Sequence, residues 1–249
     1  MELSCSKFKW LDCLDNTRFM IYIKDNFLPK NMLSAIKNNT KEYKEIKTPG
    51  KSFWTKKPSE IFVQYVVNRL AEVEDCDIEN ILCFFRQAKE NQDNNWRIHN
   101  DSIIQGQQPD RALVLFLSDE NYSGLNGTAF WEHKERGDTY KVTDNNDFDE
   151  LLTKDCNDIS KWNLKTVIGH KTNRLVSYPC EYFHSKYPNA FEDSREVLVM
   201  FYKTKISTGE RTIKGFKHKY NKIKLNERIN SNRNEKQDGC GCKSDTASS

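Results

Sequence analysis

The apolar positions of this chain change period along its length, and each change marks an element. Phe62, Val66, Leu70 and Val73 recur at three- and four-residue spacing and predict an amphipathic helix beginning near Pro58. Upstream, Phe19 to Ile23 reads as a strand leading through Asp25 to a first helix, with Pro29 near its first turn. Beyond the second helix the helical period is lost. Ile81 to Gln87 predicts a strand and Glu90 to Asn95 a polar turn, and the uninterrupted run Ala112 to Leu117 predicts a buried strand after a turn at Gly106 to Pro109. Gly127 to Trp131, Asn173 to Tyr178 closed by Pro179, and Arg195 to Tyr202 continue the β pattern. Phe130 to Lys134 and Thr139 to Val142 are expected to form a hairpin across Glu135-Arg-Gly-Asp138. Asp144 to Trp162 reads as an acidic insertion with a helix near Phe148 to Thr153. No internal repeat interrupts this order, and both early helices are expected to pack outside a β core.

Chemistry enters with the triplet His99-Asn100-Asp101. If Trp96 to Asp101 is extended, residues two apart point to one face, so His99 and Asp101 converge. His184 follows a predicted strand, and Arg195 opens the next one. Two histidines and a carboxylate form the set that holds Fe(II) on one face and leaves three positions open. An arginine beyond the distal histidine offers a fixed fork for a carboxylate. The predicted class is mainly β with flanking helices, a double-stranded β-helix of jelly-roll, cupin-like form. Competing side chains have ordinary readings: His133, His170 and His218 are expected at the surface, and Arg174 precedes the distal histidine where a residue of the adjacent strand should follow it.

With these residues in that order, the stretch from about Ile81 to Tyr202 resembles the Fe(II)/2-oxoglutarate-dependent oxygenases, most closely their prolyl-4-hydroxylase-like branch and its bacterial and phage relatives. Phe19 to Pro29 resembles the usual opening of such domains. The resemblance implies iron at His99, Asp101 and His184, 2-oxoglutarate with its distal carboxylate on Arg195, and O2 as co-reactant. It also implies hydroxylation of a protein side chain, prolyl-like, or of a small molecule, coupled to decarboxylation to succinate and CO2. Relatives often carry a tyrosine on the strand after the triplet and a hydroxyl residue two beyond the basic one. Here Phe116 and Val197 stand at those places, and Thr128 or Tyr178 are the candidate replacement hydroxyls.

Two other function classes stay open on the sequence. One is a nucleic-acid base oxygenase or demethylase, the other a non-catalytic β-helix binding domain. The first is raised by charge asymmetry: from residue 203 onward there are twelve Lys and Arg against five Asp and Glu, whereas the whole chain is only +3. The basic 203–233 stretch could meet phosphates, although a solvated lysine-rich extension is the plainer reading. Substrate choice is expected to lie in loops such as Lys47 to Lys57, Gln105 to Pro109 and the Asp144 to Trp162 insertion.

At 249 residues the chain fits one domain, 1–202, with helical support in 1–80 and a β-helix core in about 81–202, followed by a basic extension over 203–249. Hydrophobic content is 37%, but 14 Phe, 10 Tyr and 5 Trp supply large apolar side chains. Met1 to Asp15 lacks the apolar core of a signal peptide and no run approaches a membrane span, so a cytoplasmic protein is expected. Of the 8 cysteines, those up to Cys180 lack paired C-x-x-C spacing and read as free thiols, while Cys240 and Cys242 fall in the Gly- and Ser-bearing tail.

Overall fold

The computed structural model describes residues 21–38, 42–48, 51–88, 95–119, 126–140, 145–189, 195–205, 211–213 and 216–218. Its first unit spans Met1–Ile206 and its second Ser207–Ser249.

Helix α1 covers Lys30–Lys37 with Pro29 at its N-cap. Helix α2, Glu60–Glu74, begins at Ser59, whose hydroxyl accepts from the Phe62 amide at 3.3 Å, and places Glu60 in the favourable first turn. It buries Phe62, Val66 and Leu70, as their four-residue spacing predicts. The chain leaves α2 through Asp75 at φ 51°, a left-handed position taken without glycine.

The large sheet has seven strands in the order β1 (Tyr22–Lys24), β8 (Leu175–Pro179), β5 (Arg111–Phe116), β10 (Arg195–Lys205), β4 (Asp77–Ala88), β3 (Lys51–Lys56) and β2 (Lys44–Thr48). Every neighbouring pair in it is antiparallel. The small sheet orders β7 (Trp162–Gly169), β6 (Gly127–His133) and β9 (His184–Tyr187). Residues 96–101 extend it on the β9 side through the His99–His184 pair. The chain thus passes from β4 in the large sheet to 96–101 in the small one, back to β5, out to β6 and β7, back to β8, out to β9 and back to β10. That alternation is the double-stranded β-helix.

Layering explains the apolar runs. In β5, Ala112, Val114 and Phe116 face the gap between sheets with Val176, Tyr178, Val197, Val199 and Phe201. Leu113, Leu115 and Leu117 face the other way, against α2 and Phe27, with Phe62 stacked on Phe85 at 5.6 Å. A strand covered on both faces needs no polar alternation. The outer face of the small sheet is covered in turn. Helix α3 (Asn145–Glu150) continues into a π turn, Leu151–Asp155, and buries Leu151 with Trp131, Trp162 and Phe183.

Close approach fixes β6 against β7. A Cβ on Gly127 would stand 2.0 Å from the Ile168 carbonyl oxygen, so only glycine fits opposite Gly169.

Several local expectations are corrected. Lys47 to Lys57 is mostly β-hairpin at the sheet edge, not loop, because β2 and β3 pair with each other and β3 pairs with β4. Across residues 135–138 the chain turns on the His133–Gly137 bridge, and Thr139 then bridges Tyr182; residues 141 and 142 of the expected second arm lie outside the described residues. His133 is buried, its Nε2 3.2 Å from Asp155 Oδ2 beneath the 145–161 segment. Among the described residues no helix is long and apolar enough to cross a membrane. Cys76, Cys83, Cys156 and Cys180 are free thiols, while Cys240 and Cys242 lie outside the described residues.

Candidate active site

The segment carrying His99 and Asp101 is less regular than the strand its sequence suggests. Arg97 takes φ 49°, its amide donating to Asn157 Oδ1 at 2.9 Å. From there backbone bonds tie the segment down: Ile98 N–H to Cys156 O at 2.8 Å, His99 and His184 exchanging both bonds at 3.1 and 2.8 Å, and Asp101 N–H to Cys180 O at 2.9 Å. Asn100 turns away and donates to Tyr140 O at 2.9 Å, while its Oδ1 accepts from Ser102 Oγ at 3.1 Å. His184 opens β9 and is held on its other side by pairing with Phe130 of β6.

This frame brings ligand atoms of His99, Asp101 and His184 within 4.8 Å of one another. His184 Nε2 lies 3.2 Å from Asp101 Oδ2, and His99 Nε2 3.6 Å from Asp101 Oδ1. Each imidazole is oriented from behind by the carbonyl two residues earlier: His99 Nδ1 to Arg97 O at 2.7 Å, His184 Nδ1 to Tyr182 O at 3.0 Å. With Nδ1–H donating, both Nε2 lone pairs turn to the shared point, the arrangement typical of metal-binding histidines. The donor set, two neutral nitrogens and one carboxylate on one side, fits a divalent first-row cation. Asp101 and His184 side chains are 10% and 8% exposed against 34% for His99, so the site opens at His99.

Burial pushes the Asp101 carboxyl up, but His184, His99 and Arg86 outweigh it and hold it below the ordinary carboxylate range. Burial likewise pushes His184 down, and the Asp101 charge and hydrogen bond with the Tyr182 carbonyl leave it raised. Tyr178, its ring 4.7 Å from that of His184, is raised well above a free phenol by burial and by Asp101. It therefore stays a neutral hydroxyl.

Arg195 begins β10 in phase with Val197, Val199 and Phe201, which face the gap. It is buried, with its guanidinium 5.0 Å from the Phe116 ring centroid. Tyr178 lies beside His184 in the same inter-sheet cluster as Phe116, the ring on which Arg195 rests. Thr128 is buried on β6 in phase with Phe130, whose side chain faces the same gap. Arg174 is engaged elsewhere, by a two-point pair with Asp25 at 2.6 and 3.1 Å. His170 is half-buried against Phe116, with Nε2 3.1 Å from Ser118 O, and the side chain of His218 lies outside the described residues.

Sequence reading passed over Arg86. It pairs with Val197 across β4 and β10, and shares the inward phase of Leu82 and Phe84. Apolar residues on both phases of β4 hide which face is inward, so its orientation had no sequence signal.

The backbone resembles that of HygX from Streptomyces hygroscopicus, solved with nickel and 2-oxoglutarate bound: TM-score 0.51, 9% identity, 80% of this chain and 87% of that one. AviO1 from Streptomyces viridochromogenes Tue57 gives TM-score 0.50 at 11% identity over 80% of this chain and 96% of that one. No family sequence model matches the chain, and no curated protein matches it in sequence. At these identities the likeness is one of fold.

Proposed function

We propose that this chain is a non-haem Fe(II)- and 2-oxoglutarate-dependent oxygenase that hydroxylates a protein side chain, prolyl-like, or a small molecule. The observation carrying the reading is the pair of back-bonded imidazoles whose Nε2 atoms meet Asp101 at one point. HygX, of the same fold, binds nickel and 2-oxoglutarate. His99, Asp101 and His184 would hold the iron, which when bound with 2-oxoglutarate and O2 couples decarboxylation to succinate and CO2 with insertion of oxygen into a C–H bond.

The chain's own tasks are binding, orientation and exclusion of water. Arg195 is buried against Phe116 between the sheets, where a desolvated guanidinium favours a carboxylate more strongly than in water. Tyr178, kept protonated, can donate a hydrogen bond but cannot act as a base near neutral pH. Thr128 is the second hydroxyl of this gap able to meet the cosubstrate.

Anaerobic Fe(II) titration followed by 2-oxoglutarate tests the reading. The intact protein is expected to bind one iron and develop a visible charge-transfer band with 2-oxoglutarate, and His184→Ala to lose both. Equal iron affinity in the two proteins removes His184 from the site.

A further inference from the structure

A second arginine lies on the inner face of the large sheet. Arg86 stands opposite Val197 of β10 on one side and Thr55 of β3 on the other. In the same register Val197 stands opposite Phe116 of β5, so Phe116, Val197 and Arg86 form one rung across the inner face of the large sheet. Arg195 occupies the adjacent rung of the same face, opposite Ala88. Arg86 and Arg195 are thus diagonal neighbours on paired antiparallel strands, a separation two long side chains readily close. Two guanidinium groups so placed can converge on one anion.

Resting on the proposed cosubstrate reading, we propose that Arg86 and Arg195 together grip the distal carboxylate of 2-oxoglutarate, Arg86 replacing the hydroxyl donors that Phe116 and Val197 cannot supply. The rung itself makes the argument: Phe116 and Val197 line the wall with no polar side-chain atom, and the nearest polar side chain along it is the Arg86 guanidinium, with Thr55 one strand further out. Its inward direction follows from strand phase, since it is in phase with Leu82 and Phe84, which pack in the gap between the sheets. A carboxylate has lone pairs for both forks, so neither arginine displaces the other.

The test is calorimetry on the full chain loaded with Mn(II), titrated with 2-oxoglutarate and, separately, with oxalate. Oxalate chelates the metal but has no distal carboxylate. Arg86→Gln is expected to weaken 2-oxoglutarate binding roughly 10- to 100-fold, as loss of a charged hydrogen bond does, and to leave oxalate within about 2-fold. Arg86→Lys, which keeps the charge without the fork, is expected to lose less and serves if the Gln variant does not fold. In the Arg86→Gln, Arg195→Gln pair the losses should fall short of additive, because both act on one group. Equal weakening of both ligands would place Arg86 at the metal end and overturn the proposal. Unchanged 2-oxoglutarate affinity would overturn it too, and would turn attention to an acidic group on the primary substrate. An unmodified protein that binds Mn(II) but not 2-oxoglutarate would instead defeat the cosubstrate reading beneath it.

Discussion

Arg195 carries the sharpest residue-scale consequence of the proposed function. Its guanidinium is buried on Phe116, on the inward phase of β10, and it is not one of the three residues of the ligand cluster. Arg195→Met is expected to retain iron and to weaken 2-oxoglutarate binding by roughly one to three decades, the effect of losing one buried charged contact. Arg195→Lys should fall between. The measurement is the anaerobic charge-transfer titration, with secondary structure checked by circular dichroism. Loss of iron as well would show that Arg195 holds the fold of the site rather than the cosubstrate. His99 and Asp101 were legible as a pair because residues two apart on an extended chain share a face, and that holds here even though Arg97 breaks the strand. Their imidazole orientation was not legible, since it depends on carbonyls that only the folded backbone aims.

Elements are joined by polar groups that no periodicity announces. Asn173, at φ 64°, donates from Nδ2 to Leu28 O and accepts from Leu28 N–H, both at 2.8 Å, while its own carbonyl accepts from Phe27 N–H at 3.1 Å. One amide thereby completes the backbone bonding of the chain entering α1. Asn173→Ala leaves buried backbone groups unsatisfied and puts alanine in a left-handed position, so a loss of about 2–4 kcal/mol in urea unfolding is expected. At the C-terminal end of α2, Glu74 meets Arg111 at 3.1 Å and the Ser177 hydroxyl at 2.5 Å, and it also accepts from the Tyr202 hydroxyl. Their side chains are 2% and 5% exposed for Glu74 and Arg111, so Glu74→Gln would strand a buried guanidinium. A destabilisation of about 3–5 kcal/mol is expected by the same measurement, and a change below about 1 kcal/mol would mean water reaches the network. The α2 stripe was readable because helical spacing needs only local sequence. The polar latch was not, because its partners are up to 128 positions apart.

At the scale of the described domain, the layers divide the work: α2 backs the large sheet, the 145–161 segment backs the small one, and the gap between sheets holds Tyr178 beside His184. The stretch from Asn230 onward lies outside the described residues and has no apolar periodicity. Removing residues 230–249 is expected to leave the thermal unfolding midpoint unchanged, and a large fall in that midpoint would show that the tail docks on the domain.

The sequence alone determined the order of elements, the strands whose two faces would both be covered, and the triplet with a later histidine and arginine. These follow from short-range periodicity and side-chain chemistry, which travel with the chain in any fold. Tertiary structure decided what periodicity cannot encode. It turned Lys47 to Lys57 into a sheet edge because β3 found β4, and it buried His133 because the insertion folded over it. It also brought Arg86 onto the wall beside Val197. β4 is apolar on both phases, so only the strands pairing with it determine which phase faces inward.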